Sequence, residues 1–160
     1  MILTGKEIVK QRERGSILLS PFSEDQLNPN SYNYRLSEYI AVPDSSNNYI
    51  TLKIPEKGFM IEPETTYLSH TYESLGSSEY AMSLIGRSSL GRLGLFLQID
   101  ADLGHTTSNH NWTLEIVSCK KFILYPKMII GQISFWENSG EYYNSEIRYN
   151  KFNFLHTSLG

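Results

Sequence analysis

Apolar positions in this chain fall mostly into short runs that alternate with polar ones, and the runs are separated by glycine, proline, asparagine or clusters of charge. The pattern predicts strands over residues 50–54, 66–71, 80–85, 95–99, 112–118, 122–125 and 128–136. Only the start reads as a helix. Thr4 can cap it, Glu7 stands where a capping box needs an acid, and Ile8 and Val9 give a modest apolar face that ends before Gly15. Such a helix serves as a buttress. Residues 21–31, with Asn28-Pro29-Asn30, predict a long turn, and residues 44–48 a polar loop. Strands and helices do not alternate recurrently, which argues against a doubly wound nucleotide fold. The expectation is a mainly β fold, a compact barrel or sandwich. From about residue 140 the chain is aromatic and polar without a clean period, and Tyr142, Tyr143, Tyr149, Phe152 and Phe154 predict a tail that packs on something, such as a neighbouring subunit.

With 160 residues the chain is expected to form one domain over residues 1–160, able to bury roughly 70% of its unfolded surface. A net charge of -3 gives no pull toward long nucleic acid or an anionic membrane, while a local pair of arginines can still attract a small anion. Cys119 is the only cysteine, so an intrachain disulfide and a cysteine-based zinc site are both excluded. That favours a reducing compartment. Neither a signal region nor a spanning apolar run is present, and the expected location is cytoplasmic or otherwise intracellular.

Candidate chemistry concentrates in residues 86–94, Gly-Arg-Ser-Ser-Leu-Gly-Arg-Leu-Gly, which pack two guanidinium groups, two hydroxyls and three glycines between two predicted strands. The arginine forks of Arg87 and Arg92 can each take two phosphate oxygens, and Ser88, Ser89 and glycine amides supply shorter donors. The alternative is a Gly/Ser turn whose arginines sit in water, since no G-x-x-x-x-G-K-[ST] motif is present. Glu115 is the second feature. Alternation puts Trp112, Leu114 and Ile116 on one strand face, with Thr113, Glu115 and Val117 on the other. Its carboxylate stands either on a wet face or in a pocket. Asp100, Asp102, His105 and His110 lie between the two features without recognised zinc spacing, and both histidines read as part of a polar loop.

The order of these pieces resembles the dCTP deaminase branch of the trimeric dUTPase-like family. The likeness is carried by residues 1–8, by Asn28-Pro29-Asn30-Ser31-Tyr32-Asn33-Tyr34-Arg35-Leu36, by residues 86–95, by Trp112-Thr113-Leu114-Glu115-Ile116-Val117, and by the stretch from Tyr125-Pro126 to Ile130-Gly131-Gln132-Ile133. It implies a distorted β-barrel of the dUTPase-like type with a short N-terminal helix, a homotrimer with sites at subunit boundaries, and a deoxynucleoside triphosphate bound with Mg2+. The cation would be held mainly through phosphates, with no protein ligand assigned and no zinc. By the same resemblance Arg87, Ser88, Ser89 and Arg92 address phosphates, Ser88 and Arg92 also organise the reaction, and Glu115 handles protons as water attacks cytosine C4 and ammonia leaves. Arg148, Tyr149 and Asn150 stand where the family's tail commonly carries K-Y-Q.

Several positions depart from the family. Residues 105–110 replace a D-x-G-[FW]-x-G motif, residues 98–102 replace a pattern like H-V-T-A-G, and Asn33 replaces the usual aspartate. Gln98, Asp100, Asp102 and His105 are therefore possible loop contacts. The implied activity is deamination of dCTP to a deoxyuridine nucleotide. A dUTPase or a bifunctional deaminase and diphosphatase is the first alternative, and the second is a nucleotide-binding or regulatory protein whose chemistry was lost with the altered loop.

Overall fold

Thr4 sets the first element of the fold. Its backbone is extended and its hydroxyl accepts the Glu7 N–H at 3.3 Å, turning the chain into helix α1, Gly5–Glu13. The Glu7 carboxylate does not close a capping box. Its oxygens are taken by Gln11 Nε2 at 2.6 Å and Lys10 Nζ at 3.5 Å, one turn further along. Ile8 is fully buried where α1 rests on the first strand, and Gly15 leaves the helix with φ 84°.

The computed structural model describes residues 1–46, 48–98 and 101–141. Within them the chain continues as β1 (Ile17–Ser20), a 3-10 turn (Glu24–Gln26), β2 (Tyr32–Arg35), β3 (Tyr39–Pro43), β4 (Tyr49–Lys53), β5 (Phe59–Ile61), β6 (Tyr67–His70), β7 (Ser74–Ser77) and β8 (Ala81–Gly86). A one-turn helix α2 (Ser88–Gly91) leads to β9 (Leu95–Leu97), β10 (Leu103–Gly104), β11 (Asn109–His110), β12 (Thr113–Ser118), β13 (Phe122–Leu124) and β14 (Ile129–Trp136). The strands form sheets in the orders β4-β3-β6-β12-β9, β10-β8-β14-β2, β1-β7-β11 and β13-β5, all antiparallel. The sheets stay open and wrap a core that includes Ile8, Tyr32, Tyr34, Ile40, Leu114 and Phe135, giving the expected mainly β, distorted barrel. Among the described residues no helix is long and apolar enough to cross a membrane.

Each of the seven predicted strands overlaps an observed one, but β1, β2, β3, β5, β7, β10 and β11 add to them. The connection through residues 86–94 is also more than a turn. The Arg87 carbonyl accepts from both Leu90 and Gly91 N–H, at 3.0 and 2.9 Å, and winds the segment into α2.

Candidate active site

The geometry of the candidate site begins where β8 ends at Gly86. Arg87 is extended, α2 follows, and Gly94 turns the chain into β9 with φ 85°. Leu90 packs on the core, whereas Arg87 is half-buried and Ser88, Ser89 and Arg92 are exposed. Among the described residues no side-chain hydrogen bond or ion pair occupies these two guanidinium groups or two hydroxyls. Within the described residues nothing competes with an external anion for them. The far end of the segment is fastened, because the Gly94 carbonyl accepts from Cys119 N–H at 2.9 Å and Ser118 Oγ at 3.2 Å.

Glu115 lies one strand away. β9 pairs with β12 through Leu95 and Ser118, Phe96 and Val117, and Leu97 and Ile116. Leu114, Ile116 and Ser118 are buried while Thr113, Glu115 and Val117 are half-buried, which is the predicted alternation with Glu115 on the more open face. Just past β9, Gln98 Oε1 accepts the Glu115 N–H at 2.9 Å, and Gln98 N–H donates to the Glu115 carbonyl at 3.3 Å. Gly86 backs onto the same strand, since a methyl group there would sit 3.8 Å from Leu97. The phosphate-type segment, Gln98 and Glu115 thus share one rib of the fold.

The remaining candidates divide. Asp102 is tied to β8, accepting Ser83 Oγ at 2.7 Å through its side chain and Leu84 N–H at 2.8 Å through its carbonyl. His105 is exposed, and its carbonyl accepts Ser108 N–H at 3.2 Å. Among the described residues no hydrogen bond or ion pair joins either to Glu115. Asp100, Arg148, Tyr149 and Asn150 lie outside the described residues, as do the tail aromatics Tyr142, Tyr143, Phe152 and Phe154. His110 corrects the polar-loop expectation. It is buried in β11, its ring stands 4.2 Å from that of Trp112, its Nδ1 pairs with the Asn111 carbonyl at 3.0 Å, and among the described residues its Nε2 has no partner. Burial pushes its pKa below the ordinary imidazole value.

A polar network that sequence reasoning missed supports β2. Glu73 is fully buried, and its carboxylate accepts Arg35 Nε at 2.6 Å, Arg35 N–H at 2.8 Å and Gln26 Nε2 at 3.1 Å. Nothing periodic around Glu73 signals this. Asn33, which replaces the family aspartate, is buried with its Oδ1 accepting Asn28 Nδ2 at 2.9 Å, so the amide serves as an acceptor there. Ser31, in the same turn, donates to Gln132 Oε1 at 2.8 Å.

Two broad clefts of about 600 and 530 Å3 lie at the start of α1 and beside the β3–β4 hairpin, and neither is lined by Glu115 or by residues 87–92. The site is read from its chemistry. It offers cations and hydroxyls for an anion beside a half-buried carboxylate capable of proton transfer. Among the described residues no three His, Cys, Asp or Glu side chains gather to hold a metal.

A family model described as dCTP deaminase-like matches residues 2–138. A Hathewaya histolytica protein named dCTP deaminase, dUMP-forming, is 42% identical over 151 residues, covering 89% of this chain and 86% of its own. A protein of the same name from Clostridium botulinum strain Alaska E43 is 40% identical over 168 residues, covering 99% and 96%. Among solved structures, the 2'-deoxycytidine 5'-triphosphate deaminase of Agrobacterium tumefaciens superposes with a TM-score of 0.70 at 19% identity over 86% of this chain. The chain spans 48% of that longer protein, and the likeness is one of fold.

Proposed function

Because the chain belongs to the dCTP deaminase-like family, we propose that it is an enzyme that deaminates dCTP and carries the product on to dUMP. The observation that carries this reading is the placement of Glu115 on the rib that also holds the Arg/Ser segment. Glu115 takes a proton from water as the oxygen adds to cytosine C4. It returns a proton to the amino group as the C4–N4 bond breaks and ammonia leaves. A second water then cleaves between the α- and β-phosphates, releasing pyrophosphate and dUMP. Arg87 and Arg92 bind the triphosphate, Ser89 adds a donor, and Ser88 orients the substrate and the attacking water; Arg148, Tyr149 and Asn150 complete the nucleotide contacts.

Mg2+ fits this site as an ion carried by the substrate, because residues 87–92 supply guanidinium and hydroxyl groups and no carboxylate. Bound there, it neutralises phosphate charge that the arginines leave. The working unit is a homotrimer. One chain leaves Leu93 and Phe96 exposed beside the site and Tyr39, Ile50 and Leu52 exposed on β3 and β4, surface that neighbouring copies would cover. An intracellular, reducing location suits the exposed free thiol of Cys119.

Purified protein incubated with Mg2+ and dCTP, followed by separation of dCTP, dUTP and dUMP, tests the reading. The expected product is dUMP, with pyrophosphate and ammonia in equal amounts. Accumulating dUTP would leave a deaminase without the second step, hydrolysis of supplied dUTP alone would choose a dUTPase, and tight binding without turnover would defeat the enzymatic reading. Light scattering at working concentration should give the mass of three 18.4 kDa chains.

A further inference from the structure

Gln98 closes β9 in the left-handed region, with φ 49°, a conformation that side-chain-bearing residues seldom adopt. This fold-back lets its side chain reach the neighbouring strand. β9 has paired with β12 up to Leu97 and Ile116, so Glu115 is the next residue of β12 in need of an acceptor. Were β9 to continue, a main-chain carbonyl would serve. Here Gln98 Oε1 serves instead, at 2.9 Å, while Gln98 N–H holds the Glu115 carbonyl at 3.3 Å and Gln98 Nε2 is steadied by the Ala101 carbonyl at 3.3 Å. On the other edge Glu115 stands opposite Leu68 of β6, an apolar neighbour. Among the described residues no hydrogen bond or ion pair holds the Glu115 carboxylate itself. Its direction therefore depends on how firmly its main chain is held.

We propose that Gln98 is a positioning residue for Glu115: its side-chain amide takes the place of a ladder carbonyl and fixes the main chain from which the carboxylate projects. The inference rests on the reading of Glu115 as the proton-transfer group. A carboxylate that must meet both an attacking water and a departing amino group loses rate when its origin drifts, even where substrate binding is unchanged. A clamp of purely structural value would show itself in stability and not in turnover by the folded protein.

Two variants separate these cases. Gln98→Gly removes the acceptor but suits the left-handed backbone, so the fold is retained, and Gln98→Glu keeps an oxygen at the same reach. The measurements are kcat and KM for dCTP, the melting temperature, and hydrogen exchange at the Glu115 amide by NMR. Gln98→Gly should lower kcat roughly tenfold with KM within about twofold, leave the melting temperature no lower than the parent's, and speed exchange at Glu115 about tenfold or more. Gln98→Glu should recover most of both losses. A Gln98→Gly enzyme within about twofold of the parent kcat, or a Gln98→Glu enzyme as slow as Gln98→Gly, overturns the proposal. The exchange arm needs no turnover: a parent inactive on dCTP defeats the functional reading, whereas an equally protected Glu115 amide in Gln98→Gly defeats the clamp.

Discussion

Replacing Glu73 by glutamine asks whether one buried carboxylate locks β2 to the bend before β7. Its Oε1 takes Arg35 Nε at 2.6 Å and Gln26 Nε2 at 3.1 Å, and its Oε2 takes the Arg35 N–H at 2.8 Å. A glutamine of the same length has one oxygen to offer, and its NH2 must face a donor on the other side. The loss combines a charge-assisted bond, roughly 1.5–3 kcal/mol, with a buried donor left unpaired, roughly 1–3 kcal/mol. Arg35 moderates the sum, because its side chain is 26% exposed and its guanidinium lies 4.8 Å from the Tyr72 ring centroid. The expected cost is about 3 kcal/mol, the lower end of the range for breaking a buried ion pair. In a chain of this length that lowers the melting temperature by roughly 6–12 °C. Calorimetry at fixed protomer concentration reads it, since assembly adds its own concentration dependence. A fall of less than 2 °C in Glu73→Gln would refute the role given to this carboxylate.

Glu115→Gln should cut dCTP deamination by roughly 100-fold or more while nucleotide affinity, read by calorimetric titration, changes little; near-normal turnover would remove the proton-transfer assignment. Arg87→Ala should weaken dCTP binding by about tenfold and dCMP binding much less, and equal losses across phosphate number would contradict a phosphate contact. Stability should depend on His110 between neutral and mildly acid pH. Burial lowers its pKa in the folded state, so the unfolded chain binds the proton first; the stabilisation is present above the unfolded value of about 6.5 and is lost as pH falls toward the folded one. The urea midpoint should drop between pH 7 and pH 5, and less steeply in His110→Phe, which keeps a ring against Trp112; parallel slopes would show that other groups set the dependence.

Strands were legible where one face is wet. β12 alternates buried and half-buried positions along its length, and the period of two marks it directly. β2 has no such contrast, because Tyr32, Asn33 and Tyr34 are all buried, and the amide that breaks the apolar run is satisfied by Asn28. β7, Ser-Leu-Gly-Ser, shows no strand pattern in the sequence, because Gly76 must lie close under Ser108 and Asn109, where a methyl group would overlap them. His110 was misread for a related reason. Its polar neighbours describe a loop, while pairing of Asn109 and His110 with Gly76 and Leu75 draws it inside. Glu115 could be found by alternation, but its hydrogen bond to Gln98 depends on a left-handed residue that is not glycine, and nothing in local composition marks that.

The short length of β9 joins these observations. Its three residues span about 10 Å, with Gly94 at one end bonded to the β12–β13 turn and Gln98 at the other bonded to Glu115. The three ladder pairs between Leu95 and Leu97 hold that separation, so the spacing between Gly94 and the Glu115 main chain is set by main-chain pairing. On the proposed reading, a triphosphate gripped at one end of such a rib would present its base at a fixed distance, as proton transfer at C4 requires. Of the altered residues 98–102 and 105–110, only Gln98 belongs to the rib, through its hydrogen bonds to Glu115. Asp102 hangs from β8 and His105 follows β10, the strand paired with β8, whereas the rib itself is built from residues 94–98 and 115–119. On the proposed reading, substitutions outside the rib would change what surrounds the substrate and leave the main-chain spacing along β9 as it is.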